Sequence, residues 1–217
     1  MREILVILIF SFSLFGCNNI DTNKTTNNEQ VTKQYIDTTQ NNSKRQILIA
    51  ELKKLQQIIA SNDKEKIAGI FPFPLSDTAF SIFIDDSSYN EQFAANGNKT
   101  TQVMFLQHFK EISESVWVDQ VNILFKNISV DSLLFKDRLE FDDYIKTEPC
   151  FYSYKIEVVE SVVTLRMDMQ SNRQYKSTTN LKNQTPENSS EICEHNFWWV
   201  FKFDGKKLRL TDISGAG

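Results

Sequence analysis

Residues 197–210 read FWWVFKFDGKKLRL, and they decide the fold class. Phe197, Trp199, Phe201 and Phe203 alternate with other residues, the period of a strand with one buried face. Asp204-Gly205 follows, then Leu208, Leu210 and, in the same phase, Asp212. Asp-Gly between alternating runs is a strong short-range hairpin signal, because its tight turn takes residues at positive φ. The same character extends upstream. Tyr152, Tyr154, Ile156 and Val158 alternate, and then the apolar phase slips by one, to Val163, Leu165, Met167 and Met169. Such a slip reverses the buried face, so a turn or bulge is expected near Val159–Ser161. Asn172 to Glu191 reads as a polar loop.

Before this β region the periods are helical. Ile47, Leu48, Leu52, Leu55, Ile58 and Ile59 share one face of a helix, with Ser43 as its N-cap and Gln46 completing a capping box. Asn62 and Asp63 can cap a second helix carrying Ile67, Ile70 and Phe71, stopped by Pro72 and Pro74. Phe80, Ile82 and Ile84 alternate as a short strand, closed by a turn at Asp85–Ser88. Thr100 or Thr101 caps a helix through Val103, Leu106, Phe109 and Ile112, and Val116–Phe125 continues it or forms another. Helices first and an antiparallel sheet last is an α+β order.

The opening helices, Phe71-Pro72-Phe73-Pro74-Leu75, the helix near Thr101–Ile112 and the hairpin Trp198–Ile213 together resemble an NTF2-like (SnoaL-type) cone. That resemblance covers most of Ser43–Ser214. It implies N-terminal helices packed on a strongly bent antiparallel sheet. Enzymes of that family keep an acid/base residue inside the cone.

The N-terminus carries an address. Met1-Arg2 is positive, Ile4–Phe15 is apolar apart from Ser11 and Ser13, and Gly16 precedes Cys17. This is the pattern of a secretory signal, and the run is too short to span a bilayer. Leu14-Phe15-Gly16-Cys17 resembles the lipobox of bacterial lipoproteins. The resemblance implies cleavage of residues 1–16, a diacylglyceryl thioether on Cys17 and a membrane partner reached through that lipid. Asn18-Asn19 lacks the aspartate that retains such proteins at an inner membrane, which implies the outer membrane of the cell envelope. Residues 17–42, rich in Asn, Thr and Gln, read as the lipidated cysteine and a flexible tether, and 43–217 as one globular domain.

With 17 Phe and 3 Trp, the chain has material for a bulky aromatic core. A net charge of -4 argues against nucleic acid as a partner. No metal or cofactor spacing such as HExxH or CxxC appears, so none is expected. Cys150 and Cys193 remain once Cys17 is acylated, and in an exported chain they form either a disulfide or two buried thiols. His195 lies near Cys193 in sequence, without making a catalytic pair. His108, beside Gln107 and Lys110, is placed at or near the surface. Asp168, Glu157 and Glu160 are the strand acids, with Tyr152, Tyr154 and Tyr175 as donors. Their alternation with apolar residues places the acids on a solvated face. Asp142 and Asp143 read as a surface pair. Trp198, beside Val200 and opposite in phase to Trp199, is a candidate interaction surface. The expectation is a non-catalytic domain binding a protein or small ligand. The alternative is a cone-pocket isomerase or hydratase working through a buried carboxylate.

Overall fold

The computed structural model describes residues 28–145, 147–172, 175 and 193–216, with side chains from Ser43 onward. The chain divides into two units, 1–38 and 39–217. The signal and lipobox residues, including Cys17, lie outside the described residues, as does most of the loop expected at 172–191.

The order of elements is α1 (Asn28–Ala60), α2 (Lys64–Ala68), β1 (Leu75–Ser76), α3 (Ser87–Ala95), β2 (Lys99–Thr100), α4 (Gln102–Gln107), α5 (Phe109–Ser115) and α6 (Val118–Asn127). A 3-10 turn at Val130–Leu134 leads to β3 (Arg138–Asp143), β4 (Cys150–Val159), β5 (Val162–Ser171), β6 (His195–Phe203) and β7 (Leu208–Ala216). The fold class is α+β. Strands β3 to β7 form one antiparallel meander in sequence order, and the sheet is not strongly curled. Among the described residues no helix is long and apolar enough to cross a membrane.

Helix α1 begins at Asn28, so Ser43 lies inside it rather than at its cap, and residues 28–42 are helical where composition suggested a tether. Glu29, Gln30, Lys33 and Gln34 are good helix formers despite being polar, so helical propensity is present there without an apolar periodicity to mark it. Leu48, Leu52, Leu55 and Ile59 are buried as expected, whereas Ile47 is exposed and Ile49 takes its place in the core. Asp63 caps α2, accepting from the backbone N–H of Glu65 and Lys66. Phe80–Ile84 is not a strand. Phe80 makes a single parallel bridge to Ile213, and Asp86, expected in a turn, caps α3 by accepting from Tyr89 N–H. The helix from Thr101 breaks at His108, giving α4 and α5.

The slip near Val159–Ser161 is a two-residue turn. Val159 pairs with Val162 and Val158 with Val163, with Glu160 in the left-handed region at φ 55°. Each even-numbered residue of β4 therefore faces an odd-numbered one of β5, and Tyr154, Ile156, Leu165 and Met167 all point to the helices and are buried. Trp199, Phe201 and Ile213 continue that face across β6 and β7. Asp212 does not. A bulge between Val200 and Phe201 shifts β7 by one, so Asp212 pairs with Val200 on the opposite face and Ile213 takes the inward position. The Trp199 indole Nε1 donates to the Val116 carbonyl at 2.8 Å, so even the largest fully buried side chain has its polar atom satisfied. The buried core cluster is drawn entirely from Leu48–Ile213.

Candidate functional site

The sheet has two unlike faces. Helices cover the one carrying Trp199. The other, here the outer face, carries Ser153, Lys155 and Glu157 from β4, Thr164, Arg166 and Asp168 from β5, and Asn196, Trp198 and Val200 from β6.

Asp168 is on this outer face, 1% exposed, yet fully engaged. It accepts from Lys155 Nζ at 3.1 Å and from Arg166 Nε at 2.6 Å, and Arg166 also donates to Asn196 Oδ1 at 3.2 Å. A buried carboxylate survives only when paired in this way. Glu157 is exposed on the same face, one row from Lys155, and Glu160 sits at the β4–β5 turn. Asp168 and Glu157 thus face away from the helices, and Glu160 lies at the end of the sheet. Trp198 is half-buried on the outer face, opposite Arg166 and Ser214 and followed by Val200.

The tyrosines diverge from the acids. Tyr152 and Tyr154 lie on the helix-covered side, and the carboxylate that shares it is Asp143, which pairs with Tyr152 across β3 and β4. Here the aromatic groups converge. Trp117 stacks on Phe197 at 5.1 Å and meets Tyr152 edge-on at 6.1 Å, Tyr152 stacks with Tyr154 at 6.0 Å, and Tyr154 with Phe141 at 6.1 Å. Tyr154 donates to Gln120 Oε1 at 2.7 Å. Burial pushes its ionisation well above the ordinary range, helped by the negative charge of Asp143 and by Tyr152. Its proton is therefore held, and the group acts as a neutral hydrogen-bonding element. Trp117 stands at φ 58°, a left-handed conformation that is rare for a bulky residue and is paid for by its neighbours. It holds the α5–α6 junction so that the ring lies on Phe197. Half-buried Trp117, Tyr152 and Phe141 with exposed Asp143 make an aromatic rim with one acidic edge.

Cys150 and Cys193 form a disulfide, with Cα atoms 5.6 Å apart. Cys193 is thereby removed as a nucleophile, and the adjacent His195 is exposed, opposite Met169. His108 is not at the surface. It is 7% exposed, edge-on to the Tyr89 ring at 5.5 Å, with Nδ1 3.9 Å from Asp86 Oδ1 and Nε2 without a hydrogen-bond partner. The inward face of α4 and α5 is Met104, Phe105, His108 and Ile112, whereas Val103, expected on that face, is 72% exposed, so His108 falls at helical spacing among the buried residues. Tyr175 is exposed, away from the other two tyrosines' strand. Among the described residues no group of three His, Cys, Asp or Glu side chains comes together as a metal site.

The sequence did not single out Trp117, and it read Asp143 only as half of a surface pair with Asp142, where both are indeed exposed. The alternation of Leu139 and Phe141 between charged neighbours was the available signal for β3, and it places Asp143 on their side. Trp117 had no signal, since its position depends on a backbone conformation that no local residue dictates. No protein family, curated protein or solved structure matches this chain.

Proposed function

We propose that the chain is an exported lipoprotein, held to the cell envelope by lipid on Cys17, whose folded domain is a binding module. The address rests on residues 1–17, and a disulfide fits an oxidising compartment outside the cytoplasm. One observation carries the binding reading. Asp168 and Glu157 lie on the face away from the helices, Glu160 stands in the turn at the end of the sheet, and Asp168 is neutralised by Lys155 and Arg166. The aromatic rim of Trp117, Tyr152 and Phe141 is the natural seat for a small ligand with a flat apolar face, and Trp198 offers a second surface to a protein partner. The outer membrane is the location that the residues after Cys17 favour.

The NTF2-like cone rests on arrangement alone, helices on one side of an antiparallel sheet, and the weak curl of that sheet, where strong bending was expected, counts against it. A second reading, a cone-pocket isomerase or hydratase, is favoured only by Asp143 pairing with Tyr152 on the helix side.

Metabolic labelling with a tagged palmitate tests the anchor. Label is expected on the wild-type chain, with none on Cys17→Ser, and an unlabelled wild type rules the anchor out. For the domain, thermal shift against a panel of aromatic small molecules should show stabilisation that Tyr152→Phe and Asp143→Asn weaken. Catalytic turnover lost in Asp143→Asn would move the assignment to the enzyme.

A further inference from the structure

The free end of the sheet brings together a groove, exposed lysines and exposed apolar side chains. A groove of about 570 Å³ opens there between Lys44, Arg45 and Leu48 of α1, Leu134, the β4–β5 turn at Glu160–Ser161, and Phe203–Gly205 at the β6–β7 turn. Arg45 Nε donates to the Leu133 carbonyl at 2.8 Å, and Val158 N–H to the Asp137 carbonyl at 2.8 Å, so residues 133–137 are fixed beside both. Around it stand five exposed lysines: Lys44, Lys136, Lys202, Lys206 and Lys207. Among the described residues none of the five makes an ion pair. The nearby arginines do, Arg45 with Asp137, Arg138 with Glu140 and Arg209 with Asp204. Facing the free lysines are Glu160 at the turn and Glu157 one row back. A chain with net charge -4 thus carries a locally cationic end.

Three large apolar side chains project from the same end. Phe135 is 85% exposed and Val159 and Val162, paired across the turn, are 59% and 39% exposed. An exposed ring rimmed by unpaired lysines costs free energy in water that burial would return. The charge demands an anionic partner, and the apolar tips demand one that also receives hydrocarbon. A bilayer of anionic phospholipid supplies both.

We propose that this end of the domain docks on an anionic phospholipid surface, with Phe135 and Val159 at the acyl boundary and the free lysines on headgroups. Lys44 and Arg45 of α1 belong to it. Its use as a second contact beside the Cys17 lipid rests on the anchoring proposed above. The docking itself does not, since acyl anchoring and a polybasic patch are separate signals.

The test is co-sedimentation of residues 18–217 with vesicles. This chain lacks the signal and the lipid but keeps every described residue, and the whole core lies within it. On vesicles of phosphatidylcholine with about a quarter phosphatidylglycerol, binding is expected at low salt and should fall steeply as the screening length drops below about 10 Å. Pure phosphatidylcholine should bind about tenfold less or worse. A Lys44→Glu, Lys136→Glu, Lys206→Glu, Lys207→Glu variant should lose about tenfold or more on the anionic vesicles, and Phe135→Ser several-fold, with unchanged circular dichroism. Equal binding to both vesicles, or no effect of the charge reversal, overturns the proposal. So does displacement by inorganic phosphate at matched ionic strength, which would reveal a phosphate site. Absence of vesicle binding with a concentration-dependent dimer in sedimentation would assign the face to a second copy. Mass spectrometry of the N-terminal peptide reads the Cys17 lipid independently, so the two ideas fail separately.

Discussion

Asp168 is the residue on which the outer face turns. A carboxylate 1% exposed, paired across the strands with the likewise buried Ser153, has exchanged water for Lys155 and Arg166. Its removal leaves Lys155, 19% exposed, without its partner, whereas Arg166, 46% exposed, regains water. Asp168→Asn should therefore cost about 2 kcal/mol in urea unfolding, below the cost of breaking a fully buried pair. A value near zero would mean that the triad contributes nothing net. Tyr154 gives a pH dependence of determined sign. Its folded-state ionisation is raised above the ordinary 10.0, first by burial and then by Asp143 and Tyr152. Above that value the unfolded chain has lost a proton that the folded chain keeps, so stability falls as pH rises. The contribution is fully present below pH 10 and lost above it. Tyr154→Phe should flatten the alkaline decline in thermal midpoint, leaving the smaller decline of the same sign due to Tyr89, whose ionisation burial also raises. An unchanged slope would show that Tyr154 titrates normally.

Among the elements, the α5–α6 junction carries the backbone cost. Trp117 is left-handed, a conformation about 1–2 kcal/mol unfavourable for any residue with a Cβ. Trp117→Ala loses the stacking on Phe197 and keeps the strain, whereas Trp117→Gly loses the stacking and relieves it. The glycine variant should be about 1 kcal/mol the more stable of the two in chemical denaturation, and the reverse order would mean that the junction relaxes. The same contrast between local and imposed geometry explains what could be read from residues alone. The closing hairpin was legible because Asp204-Gly205 acts locally. Gly205 takes φ 92°, and Asp204 accepts from the N–H groups of Lys206 and Lys207, which hold its carboxyl below the usual range. The turn at Val159–Val162 was legible as a slip of phase. Asp212 was misplaced because a bulge leaves no mark in the pattern, and α3 was missed because Asp85–Ser88 suits a turn and an N-cap equally. Strand β3 is short and charged, so its pairing with β4, and with it Asp143's position by the tyrosines, comes from tertiary structure.

At the scale of the molecule, the sheet is tied at one end and open at the other. The tied end holds the disulfide between the start of β4 and the residue region before β6, a sequence separation of 43. Around it Asn172 donates to the carbonyls of Ile145 and Glu148, and Cys193 lies 3.8 Å from the Pro149 carbonyl. Closing a loop of that length removes unfolded-state entropy equivalent to about 4 kcal/mol in the chain-entropy account, with about 2–4 kcal/mol usual in practice. That is a large share of the stability of a domain this size, commonly about 5–15 kcal/mol. Reduction of the wild-type chain, or Cys150→Ser with Cys193→Ser, should lower the unfolding free energy by about 2–4 kcal/mol, and the reductant should have no further effect on the double variant. The same chain made without residues 1–16 inside a reducing cytoplasm should then be less stable than the exported one by that amount, and more rapidly proteolysed. A wild type indifferent to reductant would remove the disulfide from the argument for export and leave the address resting on residues 1–17 alone.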